Sequence, residues 1–283
     1  MKIGKARLAD MVELRVIKSG RAELMLAPSL GGGIARLDVN GKPVLRPWGG
    51  NKMDLFSLSS NVLVPFSNRI SNGGFTWNGI HHSVRPNLNN EALPIHGDGF
   101  TRAWVFSSES KPKMTLSHGS IGPWIYNAEQ EFDLSPEHLK IALYITNKGT
   151  QSLPFGCGFH PWFPRTSRTR LTFEANRVWL ENSQHLPSKE LLLIDNPSWQ
   201  FEKLRPLPDT WINNCYVSWT GTAKIEQGAD ATPCVINASS NLSNAIVFSP
   251  NASSNFFCFE PVSHPVDAFN LPGQPCLKEL PVN

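Results

Sequence analysis

The stretch I-A-R-L-D-V-N-G at residues 34–41 has the pattern of a strand that runs into a tight turn. Apolar and polar side chains alternate from its second residue to its sixth, and a period of two is typical of a half-buried β-strand. The Asn40-Gly41 pair that follows tolerates the positive φ of a two-residue hairpin turn, and so does Asn78-Gly79 further along. The sequence therefore predicts a hairpin at each of these two pairs.

The rest of the chain repeats this pattern and leaves little room for helices. Its 283 residues include 23 prolines and 21 glycines spread throughout, and both residue types interrupt helices. We expect an all-β fold in a single domain spanning residues 1–283, with a turn at glycines 31–33 and loops or short helical turns at 51–60 and 188–210. Besides Ile34–Val39, short or alternating apolar runs that fit strands are Glu13–Ile17, Ala22–Leu26, Gln130–Leu134, Leu139–Thr146, Arg170–Phe173, Ala245–Phe248 and Phe256–Glu260.

Composition and charge narrow the class of protein. Hydrophobic residues make up 40% of the chain and charged residues 17%, as in folded soluble proteins. The net charge of +3 forms no basic stripe, so we expect no nucleic-acid partner. We expect no membrane association and a cytoplasmic location, because neither a secretory signal nor a membrane-length apolar segment occurs. Five widely spaced cysteines without a C-x-x-C motif predict reduced, mostly buried thiols.

Two motifs present groups that could bind the oxygen atoms of a ligand. In P-F-S-N-R-I (65–70), Arg69 offers a fixed fork of donors, although an arginine in a solvated salt bridge is the more common situation. In L-P-I-H-G-D-G-F (93–100), glycines on both sides of Asp98 let the backbone approach a ligand closely while His96 projects an imidazole. A histidine that is merely hydrogen-bonded within a loop is the alternative there.

Two further motifs supply an imidazole and a carboxylate. In G-F-H-P-W-F (158–163), the proline favours an extended His160, and the aromatic neighbours form a low-dielectric wall. Burial alone would lower the histidine pKa, whereas a nearby carboxylate would raise it and leave an imidazolium that can donate a proton. The segment F-F-C-F-E-P-V-S-H-P (256–265) offers that carboxylate, because Glu260 ends an almost wholly apolar strand. A strand-end glutamate that points into water is the alternative.

Together these groups suggest acid–base chemistry on a small molecule rich in oxygen. Glu260 would serve as base and His160 as acid, with Arg69 and His96 binding oxygen atoms. The surrounding aromatic side chains suit the apolar face of a sugar ring. The histidines follow no metal-ligand spacing, and no G-x-S-x-G elbow or phosphate loop occurs, so we expect neither a metal nor a cofactor.

Five segments, in this order, resemble the aldose 1-epimerase or galactose mutarotase-like family: P-S-L-G-G-G-I-A-R-L-D-V-N-G-K-P-V-L (28–45), N-R-I (68–70), the 93–100 and 158–163 motifs, and F-E-P-V-S-H-P-V-D-A-F-N (259–270). The resemblance implies a large antiparallel β-sandwich, the galactose mutarotase-like supersandwich. It also implies that a free monosaccharide is the substrate and that its α and β anomers are interconverted. In that family pattern, Glu260 removes the proton of the anomeric hydroxyl and His160 protonates the ring oxygen. His96 and Arg69 bind sugar oxygens.

One position departs from the family pattern. Family members usually carry an aspartate at the position of Asn213, in W-I-N-N-C-Y-V-S-W (211–219). An amide still bonds a hydroxyl, but it carries no negative charge and is a weaker acceptor. We therefore keep Asn213 as a substrate-binding residue and leave the identity of the sugar and the oligomeric state open. A sugar-binding protein without turnover is the alternative function. A glycoside hydrolase or lyase of related sandwich architecture, which would need a second carboxylate opposite Glu260, is a third.

Overall fold

The computed structural model describes residues 12–108 and 110–283, and β-strands dominate its regular structure. All strand pairs in these two ranges are antiparallel. Short 3₁₀ helices lie at Leu55–Ser57, Gly99–Thr101, Leu193–Asp195 and Pro197–Trp199. The strands are β1 (Arg15–Ser19), β2 (Ala22–Ala27), β3 (Gly33–Val39), β4 (Lys42–Pro43), β5 (Ser60–Leu63), β6 (Gly74–Trp77), β7 (Ile80–Ser83), β8 (Val105–Ser107), β9 (Lys113–Ile121), β10 (Trp124–Leu134), β11 (Leu139–Asn147), β12 (Leu153–Phe155), β13 (Gly158–Pro164), β14 (Arg170–Phe173), β15 (Arg177–Glu181), β16 (Pro187–Leu192), β17 (Ile212–Val217), β18 (Thr222–Glu226), β19 (Cys234–Asn237), β20 (Asn244–Ser249), β21 (Phe256–Val262) and β22 (Lys278–Leu280).

One large sheet organises the fold. It has eleven strands in the order β1-β2-β3-β5-β13-β21-β20-β17-β15-β16, with β4 paired to β3. Smaller sheets follow the orders β11-β10-β9-β8 and β14-β18-β19, and β6-β7 and β12-β22 form two-stranded sheets. Strands that are distant in the sequence, β5, β13 and β21, are hydrogen-bonded neighbours in the middle of the large sheet, so their side chains meet there.

The two faces of the large sheet carry different residues. Phe257 and Phe259 of β21 lie in the main apolar core, together with Tyr126 of β10 and Phe173 of β14 from the smaller sheets. The smaller sheets therefore cover this face, as in a sandwich. Because side chains alternate along a strand, the even-numbered residues of β21, including Glu260, belong to the opposite face. The opposite face of the large sheet therefore carries polar side chains such as that of Glu260.

The structure confirms most of the expected elements. All eight predicted strands are present, although β10 begins earlier than expected, at Trp124. Both Asn-Gly pairs close hairpins, β3–β4 and β6–β7, and glycines 31–33 link β2 to β3 by a turn. The loop expected at 188–210 is partly wrong, because Pro187–Leu192 forms β16. This strand lies at the sheet edge and pairs with β15, so it is half exposed and lacks the apolar pattern of an inner strand.

The thiols are free as expected, but only two of the five are buried, so the expectation of mostly buried thiols is wrong. The five cysteines carry free thiols, of which Cys215 and Cys258 are buried and Cys276 is exposed. Cys157 and Cys234 are partly exposed. In the described ranges, no helix is both long and apolar enough to cross a membrane.

Candidate active site

Strands β13 and β21 place a histidine and a glutamate side by side. In their antiparallel register, Trp162 pairs with Cys258. His160 lies two residues before Trp162, and Glu260 lies two residues after Cys258, so these two residues stand opposite each other. Nε2 of His160 lies 3.4 Å from Oε1 of Glu260. His160 is 5% exposed and Glu260 is 2% exposed. Two distant segments thus bring an imidazole and a carboxylate into one buried pair.

Three buried polar atoms in and beside this pair have unused hydrogen-bonding capacity. His160 Nδ1, Glu260 Oε2 and Oδ1 of Asn61 make no hydrogen bond to the described part of the chain. Asn61 belongs to β5 and is the register partner of His160. Buried polar atoms are normally hydrogen-bonded. Three such atoms on neighbouring strands indicate a place where the oxygen atoms of a ligand can bind.

Aromatic rings enclose His160, but they are only partly the expected ones. Trp162 stacks on the imidazole with ring centroids 4.8 Å apart and an interplanar angle of 13°. Phe56, from the 3₁₀ helix before β5, lies 6.0 Å from the imidazole centroid. Phe159 and Phe163 pack against or within the main core instead, because they occupy alternate positions of β13. The low-dielectric wall is therefore built by Trp162 and Phe56.

Burial determines the protonation of the pair. It lowers the pKa of His160 to about 3, helped by the charge of Arg46 and opposed by the backbone of His160 itself. Burial raises the pKa of Glu260 well above 4.5, opposed by the charge of Arg69. The expected increase of the histidine pKa by the carboxylate is thus outweighed by burial. Both pKa shifts therefore favour uncharged groups, a protonated Glu260 and a neutral His160.

His96 lies beside this pair and has a defined tautomer. Its ring centroid is 5.3 Å from that of His160, and its Nδ1 accepts the backbone N–H of Asn68 at 3.0 Å. Burial, with help from nearby positive charge, holds the pKa of His96 well below 6.5, so the ring is neutral. Because Nδ1 is an acceptor, the proton is on Nε2. His96 can therefore donate a hydrogen bond to an oxygen atom of a ligand.

Arg69 is both a salt-bridged arginine and a neighbour of the pair. Its side chain is only 11% exposed, and Nε and Nη2 donate to Oε2 of Glu91 at 3.2 and 2.9 Å. Its charge lowers the pKa of both Glu260 and His96. The salt bridge considered as the alternative is present but largely buried, and it fixes a guanidinium whose charge acts on the site.

Asn213 lies two strands away from Glu260, on β17. Its Nδ2 donates to Oε2 of Glu181 at 2.6 Å. Trp211 Nε1 donates to Oε1 of the same carboxylate, also at 2.6 Å. Asn213 is thus part of a separate polar group, and its principal partner, Glu181, is a residue that the sequence motifs did not indicate.

A third residue beside the pair could complete a metal site. The ligand atoms of His160, Cys258 and Glu260 all lie within 4.8 Å of one another, and this nitrogen, sulfur and oxygen set suits a zinc-like ion. Burial raises the pKa of the Cys258 thiol and of the Glu260 carboxyl, so metal binding would have to expel both protons. An ion held there would occupy the atoms that are available for acid–base chemistry.

A family model for aldose 1-epimerase matches residues 14–278. The chain belongs to the aldose 1-epimerase family. The uncharacterized protein YphB of Escherichia coli (strain K12) is 34% identical over 239 residues, which cover 81% of each chain. A crystal structure of an aldose 1-epimerase candidate from Escherichia coli K12 has a TM-score of 0.89 at 30% identity and covers 95% of this chain and 94% of that one. A galactose mutarotase-like protein from Clostridium acetobutylicum shares the fold, with a TM-score of 0.79 at 18% identity over 95% and 90% of the two chains.

This member of the aldose 1-epimerase family has site neighbours that sequence reasoning missed. Arg46 lies over the ring of Trp162, 4.2 Å from its centroid, and donates to the carbonyl oxygens of Phe56 and Leu58 at 2.6 and 3.1 Å. It therefore ties the segment that carries Phe56 to the sheet. Asn61 had a detectable signal, because this polar residue directly precedes the apolar run at 62–64. Arg46 and Phe56 had no such signal in the sequence, since they lie in an irregular segment.

Gly97 keeps His96 in place through a close backbone contact. Its φ is +69°, and a Cβ would lie 2.0 Å from the carbonyl oxygen of Val64. We expect Gly97→Ala to lower the free energy of unfolding by about 3 kcal/mol, because backbone strain and overlap add. Gly41→Ala is the matched control, since Gly41 has a φ of +71° with open space around it, and it should cost only about 1 kcal/mol. Urea denaturation measures both, and equal losses would contradict the close contact.

Proposed function

We propose that this protein is an aldose 1-epimerase that interconverts the α and β anomers of a free aldose. The observation that carries the proposal is the buried His160–Glu260 pair, 3.4 Å apart, with an unpaired atom on each side chain. Opening a hemiacetal requires that one oxygen of the sugar lose a proton while another gains one. A pair that holds a single proton between a carboxylate and an imidazole can perform both transfers.

The proposed reaction begins with proton transfer within the pair. Movement of the proton from Glu260 to His160 gives a carboxylate and an imidazolium, and the positive charge of Arg69 favours the carboxylate. Glu260 then takes the proton of the anomeric hydroxyl, and C1 forms a carbonyl as its bond to the ring oxygen breaks. His160 delivers its proton to the ring oxygen. Rotation about the C1–C2 bond and the reverse steps close the ring on the other face.

The neighbouring donors would hold the sugar during these steps. The Nε2–H of His96 is free to bond an oxygen near His160, because Nδ1 already accepts from the backbone. The guanidinium of Arg69, fixed by Glu91, would donate to a further sugar oxygen. Trp162 and Phe56 exclude water from the imidazole, which strengthens the electrostatic interactions inside the site.

Polarimetry tests this function directly. Fresh solutions of α-glucose, α-galactose and other α-aldoses should reach anomeric equilibrium faster with the protein than in buffer, with a rate proportional to protein concentration. NMR saturation transfer between the two anomeric protons provides a second measurement at equilibrium. Rates equal to those of buffer for every sugar in the panel would contradict the proposal.

A sugar-binding protein without turnover is the second candidate, and the neutral amide of Asn213 favours it. Calorimetry would then detect sugar binding while the anomerisation rate stayed at the buffer value. A glycoside hydrolase has less support. The catalytic carboxylates of such enzymes are about 5–9.5 Å apart, whereas Glu181 on the same face lies three strands and two residues from Glu260, at about 16 Å between Cα atoms.

A further inference from the structure

Glu181, at the end of β15, is the centre of a compact polar group. Its side chain is 16% exposed, and its carboxylate accepts from three different donors. Trp211 Nε1 lies 2.6 Å from Oε1, whereas Asn213 Nδ2 and His185 Nδ1 lie 2.6 and 2.9 Å from Oε2. His185 also stacks on Trp211, with ring centroids 5.7 Å apart. Such a set of contacts holds the carboxylate in one orientation.

The carboxylate in turn fixes the orientation of the Asn213 amide. An ionised carboxylate only accepts hydrogen bonds, so the amide must present its NH₂ group to Glu181. Because Nδ2 is bonded to Glu181 on β15, the carbonyl oxygen Oδ1 is the group of Asn213 that is left to accept from a ligand. The side chain thus offers an acceptor of fixed orientation on the sheet face that carries the His160–Glu260 pair.

The distance along the sheet suits a single sugar ring. Asn213 pairs with Phe248 of β20, and Phe248 pairs with Cys258 of β21, two residues before Glu260. Two strand spacings and two residues along the strand place Asn213 about 12 Å from Glu260 between Cα atoms. Asn213 and Glu260 thus stand on the same face of the sheet, at a separation that one pyranose with its hydroxyl groups can span.

We propose that Glu181 is a positioning residue that holds Asn213 so that its carbonyl oxygen accepts a hydrogen bond from a sugar hydroxyl distal to the anomeric carbon. This inference rests on the proposed function and adds a specificity element to it. Glu181 and Asn213 together provide the negative charge and the hydrogen-bond acceptor that a single carboxylate would combine. Glu181 carries the negative charge, and Asn213 carries the acceptor that contacts the substrate.

A swap of the amide and the carboxylate tests this arrangement. In Glu181→Gln the neutral side chain no longer dictates which atom of Asn213 it faces, so KM should rise about tenfold while kcat changes less than about twofold. In Asn213→Asp two carboxylates meet, and KM should increase further as the pH rises, because the shared proton that relieves their repulsion is lost. The double variant restores an amide–carboxylate hydrogen bond, and its KM should return to within about threefold of the wild-type value.

The substrate for these measurements is the aldose that the wild-type protein equilibrates fastest, together with its 3-deoxy and 4-deoxy analogues. The analogue that lacks the hydroxyl bound by Asn213 should show the same KM with the wild type and with Glu181→Gln. Wild-type KM values in Glu181→Gln, or a double variant no better than Asn213→Asp, would overturn this inference alone. Equal losses of kcat and of folded protein in the variants would also overturn it, since they indicate a purely structural role. A wild type that accelerates no aldose would instead refute the proposed function.

Discussion

Glu260→Gln is expected to lower the rate of anomer interconversion by about 10²–10⁴-fold, the range that a single proton-transfer group contributes. The substituted amide keeps the size of the carboxyl but can neither accept the hydroxyl proton nor share a proton with His160. Sugar binding should persist, because Arg69 and His96 remain. Polarimetry measures the rate and calorimetry the affinity. An unchanged rate would remove Glu260 from the mechanism.

Stability provides an independent check on the same variant. Because burial raises the pKa of Glu260 well above 4.5, the protonated folded form contributes stability that is fully present below pH 4.5. This stability is lost as the pH rises through the folded-state pKa. Glu260→Gln does not titrate, so it should be more stable than the wild type at pH 8, with a difference that shrinks towards pH 4. Urea denaturation at several pH values tests this, and a variant that is less stable at pH 8 would contradict the buried, protonated state.

The sequence could predict the strands and could single out His160 and Glu260 because their signals are local. Alternation and Asn-Gly turns depend on a few neighbouring residues, and Glu260 stands out as a charge in an apolar strand. The pairing of β13 with β21, which brings the two side chains together, has no local signal in the sequence. The protonation of His160 could not be predicted, because it depends on how completely Trp162 and Phe56 exclude water, and this is a property of the assembled site.

The polar group around Glu181 is a second feature that could not be predicted from the sequence. Asn213 was noticed as a departure from the family pattern, and on its own it suggested a weakened site. Its partner lies on β15, in a different part of the chain, and nothing in the local sequence distinguishes Glu181 from an exposed strand-end glutamate. Only the register of β15 with β17 brings the carboxylate to the amide. The amide that stands in place of the usual aspartate thus has a carboxylate as its partner one strand away.

His160→Gln should also lower the anomerisation rate by about 10²–10⁴-fold, since an amide cannot carry a proton to the ring oxygen. The effect on stability has the opposite pH dependence to that of Glu260→Gln. Because the folded-state pKa of His160 is about 3, its stability contribution is present above pH 6.5 and is lost as the pH falls towards 3. Between pH 7 and pH 4.5 the wild type should lose about 3 kcal/mol that the variant keeps.

His264→Gln is the matched control for this prediction. His264 is equally buried, and burial lowers its pKa to about 4, but its ring nitrogens bond the backbone of Ser67 and Pro265 at 3.2 and 2.8 Å. Its replacement should therefore reduce the loss of stability between pH 7 and pH 4.5 to a similar extent, yet leave turnover per folded molecule unchanged. If the two variants lost activity equally, the defect would arise from a buried histidine in general. A loss confined to His160→Gln assigns the proton transfer to the imidazole that faces Glu260.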